Sequence, residues 1–530
     1  MNSLVGLCNN GELQRVLIGI ALFMLGFAGT RAYWKGRSGS LRKTKRLHGP
    51  GGSLLGPLMN VLALRNTKTT LNVLENWCRI YGPVFKLRFG PMSFIMLNSP
   101  QYFQKLLGST DVNHHHKGFI YEPIRPALND GLIISTGEKW KRRRKLISKH
   151  MFNHKTFVSY ISIFNDEANQ IVKALQETGS GTEVNVSAFL IDATLNAITK
   201  ASIGKPLADC ESLVGDNIGI AELVSRFKEI VAKRVMKPWL LYDPVWRLHP
   251  LSKVESFLSK ISWRQMSYAI SSNNSLHEGK KTSLREYLVE EGVPIEGILE
   301  ETATLLSAGY ETTETSLQFL LFLLALNPYH QGKCREEVDS VFSDNFDDDL
   351  EYCDLSKLKH LEMCVFETLR LFPVVFLIMR KLKAPLRLCK SFMVKIKIEG
   401  FGFLGTEEDL EIAAGTEVAM FIPGIHKNPN IFPNPNEFIP ERFSQENCRH
   451  RSPYAFVPFS AGPRKCIGYR FAIMELMCLT AKLLRHFVIS TTDKYEEIVV
   501  LPHLTLTLDK PINFSFEIRD FVSMQKGVGC

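Results

Sequence analysis

Apolar side chains recur every three or four positions through much of the chain. Phe157, Tyr160 and Phe164 show this spacing, which places their side chains on one face of an α-helix. The same spacing predicts a mostly helical region from residue 138 to residue 335. A further long helix is predicted over residues 467–486.

Shorter segments of alternating or β-prone residues lie on either side of the helical region. Val84–Arg88 and Ser93–Leu97 are typical of strands, and residues 380–420 are strand-like. Residues 425–465 are rich in proline and are expected to be irregular. The expected fold class is therefore mainly α with small β-sheets.

The alternation near the C-terminus predicts a hairpin. Leu501–Phe516 alternates between apolar and polar residues and is interrupted at Asp509-Lys510-Pro511. Proline and aspartate favour a turn, so the turn of the hairpin is expected at that interruption.

An uncharged apolar segment near the N-terminus is long enough to cross a membrane. Val16–Thr30 has no charged residue, and apolar residues continue to Trp34. This stretch, at about 1.5 Å per residue, nearly spans the roughly 30 Å hydrocarbon core. Basic residues follow the segment, which favours an uncleaved anchor whose C-terminal side faces the cytosol. A cleaved signal peptide and a core helix are the alternatives.

The anchor divides the chain into four parts. Residues 1–15 are expected to be a short lumenal N-terminus, and residues 16–34 the transmembrane anchor. Residues 35–59 form a basic linker rich in proline and glycine, because His48–Pro57 contains residues that stop a helix. Residues 60–530 form the globular domain.

The positive charge is concentrated in two places. The chain has 64 Lys and Arg against 54 Asp and Glu, and residues 31–46 and 139–149 each carry seven basic residues and no acid. A nucleic-acid-binding protein usually shows a broader basic face, so that class is disfavoured. Eleven cysteines without a CxxC pair argue against a disulfide framework or a zinc site, and they favour a reducing compartment.

One cysteine stands in a setting that suits chemistry. The sequence from Phe459 to Gly468 is F-S-A-G-P-R-K-C-I-G, with Cys466 just before the predicted long helix. A cysteine at a helix N-terminus lies near the positive end of the helix dipole, which favours the thiolate. A buried structural cysteine in a turn is the alternative.

The pattern F-x-x-G-x-R-x-C-x-G resembles the haem-binding loop of the cytochrome P450 family. All its fixed positions are present: Phe459, Gly462, Arg464, Cys466 and Gly468. The resemblance implies the family's mostly α-helical fold, non-covalent haem b, and Cys466 as the axial ligand of the haem iron. A cysteine thiolate pushes electron density onto the iron and favours O–O cleavage, an effect for which this family is the established example.

Two further motifs strengthen the resemblance. Glu367 and Arg370 lie one helical turn apart, and the family joins them to the arginine of a later P-E-R-F, here Arg442. They are interpreted as a structural triad that supports the haem pocket, although a surface ion pair is the alternative.

The other motif is Ala308-Gly309-Tyr310-Glu311-Thr312-Thr313 in an apolar helix. From the residues alone, the Thr312 hydroxyl is expected to bond to the Ala308 carbonyl and to loosen the helix beside Gly309. In the family this segment crosses the distal haem face, and the resemblance implies catalytic roles for Thr312, which steadies oxygen, and Glu311, which relays protons. Some members of the fatty-acid ω-hydroxylase clan carry a glutamate that forms an ester to haem at the place of Ala308, which has no carboxyl group.

Trp140 and Arg144 lie four residues apart on one helix face, and the resemblance implies that they bind the haem propionates with Arg464 and Arg380. Lys141, with Arg142 and Lys145, points away from that face. These residues are expected to form a docking face for an acidic flavoprotein, or else a solvated helix face.

The resemblance is strongest to the fatty-acid ω-hydroxylase clan and its insect branches. It implies a monooxygenase that inserts one oxygen atom into a C–H bond of a fatty acid, a steroid or hormone, or a xenobiotic. The expected partners are NADPH–cytochrome P450 reductase, cytochrome b5 as a further candidate, and a lipophilic substrate. The expected location is the endoplasmic reticulum membrane, with residues 60–530 as a haem-binding catalytic domain on the cytosolic face.

Two alternatives stay open at this point. One is an oxygen-independent isomerase or dehydratase with the same fold, and the other is a haem-binding membrane protein that catalyses no reaction.

Three smaller features of the sequence carry expectations that a structure can test. Residues 390–406 depart from the family pattern and are either an inserted loop or an error in the predicted coding sequence. His426 is expected to be structural, and the run His114-His115-His116 is a weak candidate for metal binding.

Overall fold

The computed structural model describes residues 47–50, 55–90, 92–212, 218–271, 283–342, 348–388 and 410–519. The predicted anchor over residues 16–34 and the unusual residues 390–406 lie outside the described residues. Within the described ranges, no helix has both the length and the apolar character needed to cross a membrane.

The structure is mainly helical, as predicted. The α-helices of the first half are α1 Gly56–Leu64, α2 Thr67–Tyr81, α3 Pro100–Leu107, α4 Arg125–Leu128, α5 Gly137–Met151, α6 His154–Thr178, α7 Ser187–Ile203, α8 Leu207–Ser212, α9 Ile220–Met236, α10 Asp243–Leu248 and α11 Pro250–Ser271. Those of the second half are α12 Leu284–Glu290, α13 Ile295–Leu326, α14 Pro328–Val341, α15 Lys359–Leu371, α16 Ile422–His426, α17 Gln445–Cys448 and α18 Tyr469–His486. Short 3₁₀ helices include Phe119–Ile124, Pro238–Leu241, Pro440–Phe443 and Gly462–Arg464.

The strands form four small sheets. They are β1 Val84–Phe89, β2 Met92–Leu97, β3 Glu183–Asn185, β4 Leu377–Lys381, β5 Leu386–Leu388, β6 Leu410–Ile412, β7 Glu417–Phe421, β8 Phe487–Ser490, β9 Val500–Pro502, β10 Leu506–Leu508 and β11 Asn513–Ile518. The largest sheet has the order β1-β2-β7-β4, in which β2 and β7 are parallel and the other pairs antiparallel. β1 and β2 confirm the two strands predicted near the N-terminus.

The hairpin prediction was wrong about the position of the turn. β9 pairs with β10, so the turn lies between Pro502 and Leu506. β11 leaves this hairpin and pairs with β8 and β3 in another sheet. Asp509-Lys510-Pro511 therefore separates two sheets. An alternating pattern identifies a strand but does not identify its partner, because every strand with one buried face has the same period of two.

Helix α13 runs through the centre of the main hydrophobic core. It has 32 residues and is buried on most of its faces, because leucine and phenylalanine occupy nearly every position from Leu317 to Leu324. Helices α6, α7, α15 and α18 contribute side chains to the same core. An apolar helix of this kind must be enclosed by others, and this enclosure places its polar residues at defined points inside the protein.

The ion pairs predicted around Glu367 are confirmed. Its carboxylate accepts hydrogen bonds from Arg370 at 2.7 and 2.8 Å and from Arg442 at 3.2 Å. The Glu367 and Arg370 side chains are fully buried. Arg370 also donates to the carbonyl oxygens of His426 and Pro435. This network joins α15 to the irregular segment that precedes α18.

We expect Glu367→Ala to lower the free energy of unfolding by about 3–5 kcal/mol, because it leaves two arginines without their carboxylate in a dry interior. Chemical denaturation of the holoprotein measures this change. The matched control is Glu222→Ala, which removes an exposed pair with Arg226 (2.6 Å) and should cost no more than about 1 kcal/mol. Equal losses in the two variants would contradict a buried network.

Candidate functional site

The loop before α18 is folded tightly back on itself. The Cys466 amide donates to the Phe459 carbonyl at 2.8 Å. Ser460 and Gly462 both have positive φ, at 59° and 66°. A Cβ on Gly462 would lie 1.8 Å from the Leu107 carbonyl oxygen, so only glycine fits there. Gly462 of the motif therefore serves backbone conformation and close packing.

The Cys466 side chain is accessible in the structure although protein surrounds it. Desolvation by the surrounding protein atoms holds the pKa of its thiol above the ordinary value, and a backbone hydrogen bond from Gly468 and the charges of Arg144 and Lys465 partly offset this effect. Helix α18 begins at Tyr469, slightly later than predicted. Cys466 thus has donors and positive charge around a sulfur that can still be reached, which suits a thiolate ligand.

The predicted tryptophan and arginine residues meet beside this loop. The Arg464 guanidinium lies 4.0 Å from the Trp140 ring centroid, and that of Arg144 lies 5.8 Å from it. Arg464 donates to the Ser135 carbonyl at 2.7 Å, and Arg144 donates to the Lys465 carbonyl at 2.7 Å. The stacking fixes the positions of both cations.

Two further cations belong to the same cluster. Arg380 was predicted, and Lys117 was missed by sequence reasoning. Burial, and then the charges of Arg380, Arg464 and Arg144, hold the pKa of Lys117 well below its ordinary value. Burial and the neighbouring Arg380 and Arg144 lower the pKa of Arg464 to about 9. The only sequence signal for Lys117 was its position directly before Gly118, the residue that precedes the 3₁₀ helix Phe119–Ile124.

No carboxylate among the described residues forms a salt bridge with any of these four cations. Among the described residues, the phenol of Tyr121 raises the pKa of Arg380, and the Arg464 Nε has no hydrogen-bond partner. Clustered cations that are buried or half-buried need a counter-charge to be stable. The cluster therefore fits an anionic cofactor with two carboxylates.

Helix α13 carries the predicted oxygen-handling motif. The Thr312 hydroxyl donates to the Ala308 carbonyl at 2.8 Å, as predicted, and Thr313 donates to Gly309 at 2.9 Å. Gly309 does not face an open space, since a Cβ there would lie 2.7 Å from Ile198. The glycine therefore allows α13 to pack closely on α7, and the loosening of the helix expected beside Gly309 stays a prediction.

Glu311 is held by two groups that sequence reasoning missed. Lys228 on α9 forms an ion pair with its carboxylate at 3.1 Å. The Thr505 hydroxyl, in the turn between β9 and β10, also donates to Glu311. These residues are distant in sequence and belong to no common motif, so only the fold could bring them together. The carboxyl that the resemblance assigns to proton relay is thus linked to two neighbouring elements.

The family model for cytochrome P450 matches residues 50–516 of the chain. The chain belongs to the cytochrome P450 family. It is 31% identical to the probable cytochrome P450 4aa1 of Drosophila melanogaster over 77% of each chain, and 31% identical to cytochrome P450 4V2 of Homo sapiens over 78% of each. Cytochrome P450 4c21 of Blattella germanica is 27% identical over 89% of this chain and 93% of its own. This cytochrome P450 is therefore a haem monooxygenase whose relatives include insect members.

The P450 contains an apolar cavity of about 110 Å³ between the four-stranded sheet, α9 and the β9–β10 turn. Phe94 and Met379 line it from the sheet, and Val235 lines it from α9. Thr70 and His503 are the polar side chains of its lining. Such a surface favours an uncharged, lipophilic ligand.

The histidines near the P450 site have structural partners. His114 bonds to Ser109 and to the Pro385 carbonyl, and His115 bonds to the Ser109 carbonyl, so these side chains are committed to loop contacts. His426 is fully buried and accepts a hydrogen bond from the Val457 amide at 3.0 Å. That contact confirms a structural role for His426.

The neutral state of His426 should make stability depend on pH. Burial, and then Arg370, lower the pKa of His426 to about 3, whereas an unfolded histidine titrates near about 6.5. The unfolded chain therefore binds the extra proton first, and stability is lost as the pH falls below about 6.5. We expect a loss of about 2 kcal/mol from this residue between about pH 7.5 and pH 5.

The measurement is urea denaturation of the holoprotein and of His426→Gln at those two pH values. Glutamine offers an oxygen to the Val457 amide but does not titrate, so the variant should lose about 2 kcal/mol less than the parent on acidification. Parallel pH profiles would show that His426 is already protonated or exposed.

Proposed function

We propose that this cytochrome P450 inserts one atom of O₂ into a C–H bond of a lipophilic substrate, with electrons supplied from NADPH by a reductase. The observation that carries the proposal is the accessible Cys466 sulfur beside four clustered cations, of which Arg380 and Arg464 are buried and Lys117 and Arg144 are half-buried. A thiolate for the iron and a cationic cluster that matches two carboxylates together suit a haem b held through cysteine.

The residues of the loop and of α5 would hold the cofactor. Cys466 would ligate the iron, and Arg144, Arg380 and Arg464 would neutralise the propionates with Trp140 beneath them. Bound haem would supply the activation of O₂ and the transfer of one oxygen atom. Phe459, Gly462, Gly468 and Ala308 are proposed to border the cofactor. Since Ala308 offers no carboxyl group for an ester, acid and solvent should extract the haem from denatured protein.

Thr312 and Glu311 are proposed to manage protons. The Thr312 hydroxyl can turn from the Ala308 carbonyl and donate towards the oxygen that reacts. Glu311 can pass a proton along α13 when its ion pair with Lys228 opens. General acid catalysis of this kind is worth about 10²–10⁴ in rate. An oxygen-independent isomerase would have no use for such a pair, and labelled-oxygen incorporation with NADPH consumption separates the two reactions.

The substrate is proposed to be a long apolar molecule. The apolar lining of the cavity supports this class, and the resemblance to the ω-hydroxylase clan favours a fatty acid over a steroid or a xenobiotic. A spectral-shift screen of the three classes on purified protein would test the preference, and a response confined to steroids would refute it.

The electron donor is proposed to dock where α5 meets the Cys466 loop. Lys141, Arg142 and Lys145 are exposed on α5, and Arg144 ties the helix to the Lys465 carbonyl. A surface hollow beside them is lined by residues that include Phe459, Lys465, Tyr469 and Arg470. A basic face of this kind suits an acidic flavoprotein such as NADPH–cytochrome P450 reductase, and also cytochrome b5.

The P450 is proposed to lie on the cytosolic face of the endoplasmic reticulum membrane. The apolar segment over residues 16–34 supports an anchor. Met59 on α1 and Trp239 in the 3₁₀ helix Pro238–Leu241 are exposed apolar side chains. The two segments are neighbours, because Gly90 lies close to both Val61 of α1 and Pro238 of the 3₁₀ helix. Such a patch suits a membrane surface. Recovery of the full-length chain in the soluble fraction would refute this location.

We expect Cys466→Ser to abolish the thiolate-type absorption of the reduced, carbon-monoxide-treated protein and to abolish substrate oxidation, because serine cannot ligate the iron as a thiolate. Difference spectroscopy on purified holoprotein measures the first, and product analysis measures the second. Cys448→Ser is the control, since Cys448 is exposed and lies outside the loop. A parent protein with an imidazole-type spectrum would refute the assignment.

We expect the triple charge reversal of Lys141, Arg142 and Lys145 to glutamate to slow reduction by the reductase at least about 10-fold at low salt, since it removes electrostatic steering. The deficit should shrink as added salt screens the charges. Stopped-flow reduction under carbon monoxide measures the rate. Lys233→Glu on α9, an exposed lysine beside Glu229, is the control and should reduce normally. Equal rates in both variants would place the docking face elsewhere.

A further inference from the structure

Two cysteines meet where α14 packs against α15. The Sγ atoms of Cys334 and Cys364 are 3.7 Å apart, and both residues are fully buried. A disulfide requires about 2.05 Å, so both are thiols in this structure. Two thiols at van der Waals contact are common in a protein core and do not by themselves indicate a site.

A third donor lies beside the two sulfurs. His360, at the start of α15, offers a ring nitrogen that lies within 4.8 Å of both, measured over all pairs of the three atoms. His360 is also buried. An imidazole nitrogen is, with thiolate sulfur, among the usual donors to zinc in proteins.

The spacing of these donors matches a metal centre. Two sulfurs bound at about 2.3 Å with a tetrahedral angle lie about 3.8 Å apart, close to the separation of Cys334 and Cys364. We propose that Cys334, Cys364 and His360 form a zinc site, a feature separate from the haem chemistry. Three protein donors leave the fourth tetrahedral position to water.

Charge favours zinc in this position. Binding releases one proton from each thiol, and two thiolates balance the charge of Zn²⁺, so the filled site is neutral in an apolar interior. Sulfur and imidazole donors select zinc over magnesium or calcium.

Neighbouring groups can orient the histidine. The His330 Nδ1 lies 3.1 Å from the His360 Nε2, and the Glu441 carboxylate lies 3.9 Å from the same His330 atom. A carboxylate and a hydrogen-bonded ring behind a ligand are usual around bound zinc. Cys364 lies one turn before Glu367 on α15, so a metal here would join α14 to the helix that carries the buried ion pairs.

The test uses full-length, haem-loaded protein without a histidine tag, from cells grown with added zinc. Zinc and iron per chain are measured by elemental analysis, and the zinc ligands by X-ray absorption at the zinc edge. We expect about one zinc per chain with two sulfurs at about 2.3 Å. Cys334→Ser and Cys364→Ser should each lower the bound zinc at least 10-fold. Cys353→Ser, at an exposed cysteine, should retain it.

Several outcomes would overturn the site. Zinc absent from the parent protein, zinc with only nitrogen and oxygen neighbours, copper bound in its place, or a disulfide found by mass spectrometry would each refute it. The spectrum of the reduced, carbon-monoxide-treated protein identifies variants that fail to fold. The X-ray absorption spectrum of the parent protein at the zinc edge tests the site without any variant. Since that carbon-monoxide spectrum reports Cys466 alone, failure of the zinc site and failure of the proposed function are distinguishable.

Discussion

The ion pairs of the buried Glu367 carboxylate are the interaction on which the segment that leads to Cys466 depends. This carboxylate forms ion pairs with both Arg370 and Arg442, and Arg370 in turn donates a hydrogen bond to the His426 carbonyl. The His426 ring then accepts the Val457 amide at 3.0 Å. Val457 leads directly into the loop that ends at Cys466. A single fully buried carboxylate thus begins a path of hydrogen bonds from α15 to Val457, at the start of the segment that carries the candidate iron ligand.

A second group of charged side chains, which includes Arg464 of the same loop, has no carboxylate partner among the described residues. Lys117, Arg144, Arg380 and Arg464 converge, and the described residues form no salt bridge with them. The protein supplies a carboxylate to the first region, whereas the described residues supply none to the second. Since buried charge without a partner is costly, this difference supports the proposal that the second region binds an anionic group.

Much of the candidate site could be predicted from short stretches of sequence, because its residues are local neighbours. Cys466, Gly462 and Arg464 lie in one loop, and Trp140 and Arg144 on one helix face. Lys117, Lys228 and Thr505 could not be found this way. Each reaches the site from a different element, and no spacing rule relates them to Cys466 or Glu311. Gly309 likewise has a tertiary contact that a local interpretation of the helix does not include, since Ile198 packs against it.

Sequence alone determined the helical class, the glycine-bounded cysteine and the pairing of Glu367 with Arg370, because each depends on contacts between residues a few positions apart. Tertiary structure alone decided that β9 pairs with β10 while β11 joins β8, and that Lys228 and Thr505 hold Glu311. It also brought Cys334, Cys364 and His360 into contact across two helices. These arrangements depend on which buried surfaces pack together, and a periodic pattern shows that a surface is buried without showing what covers it.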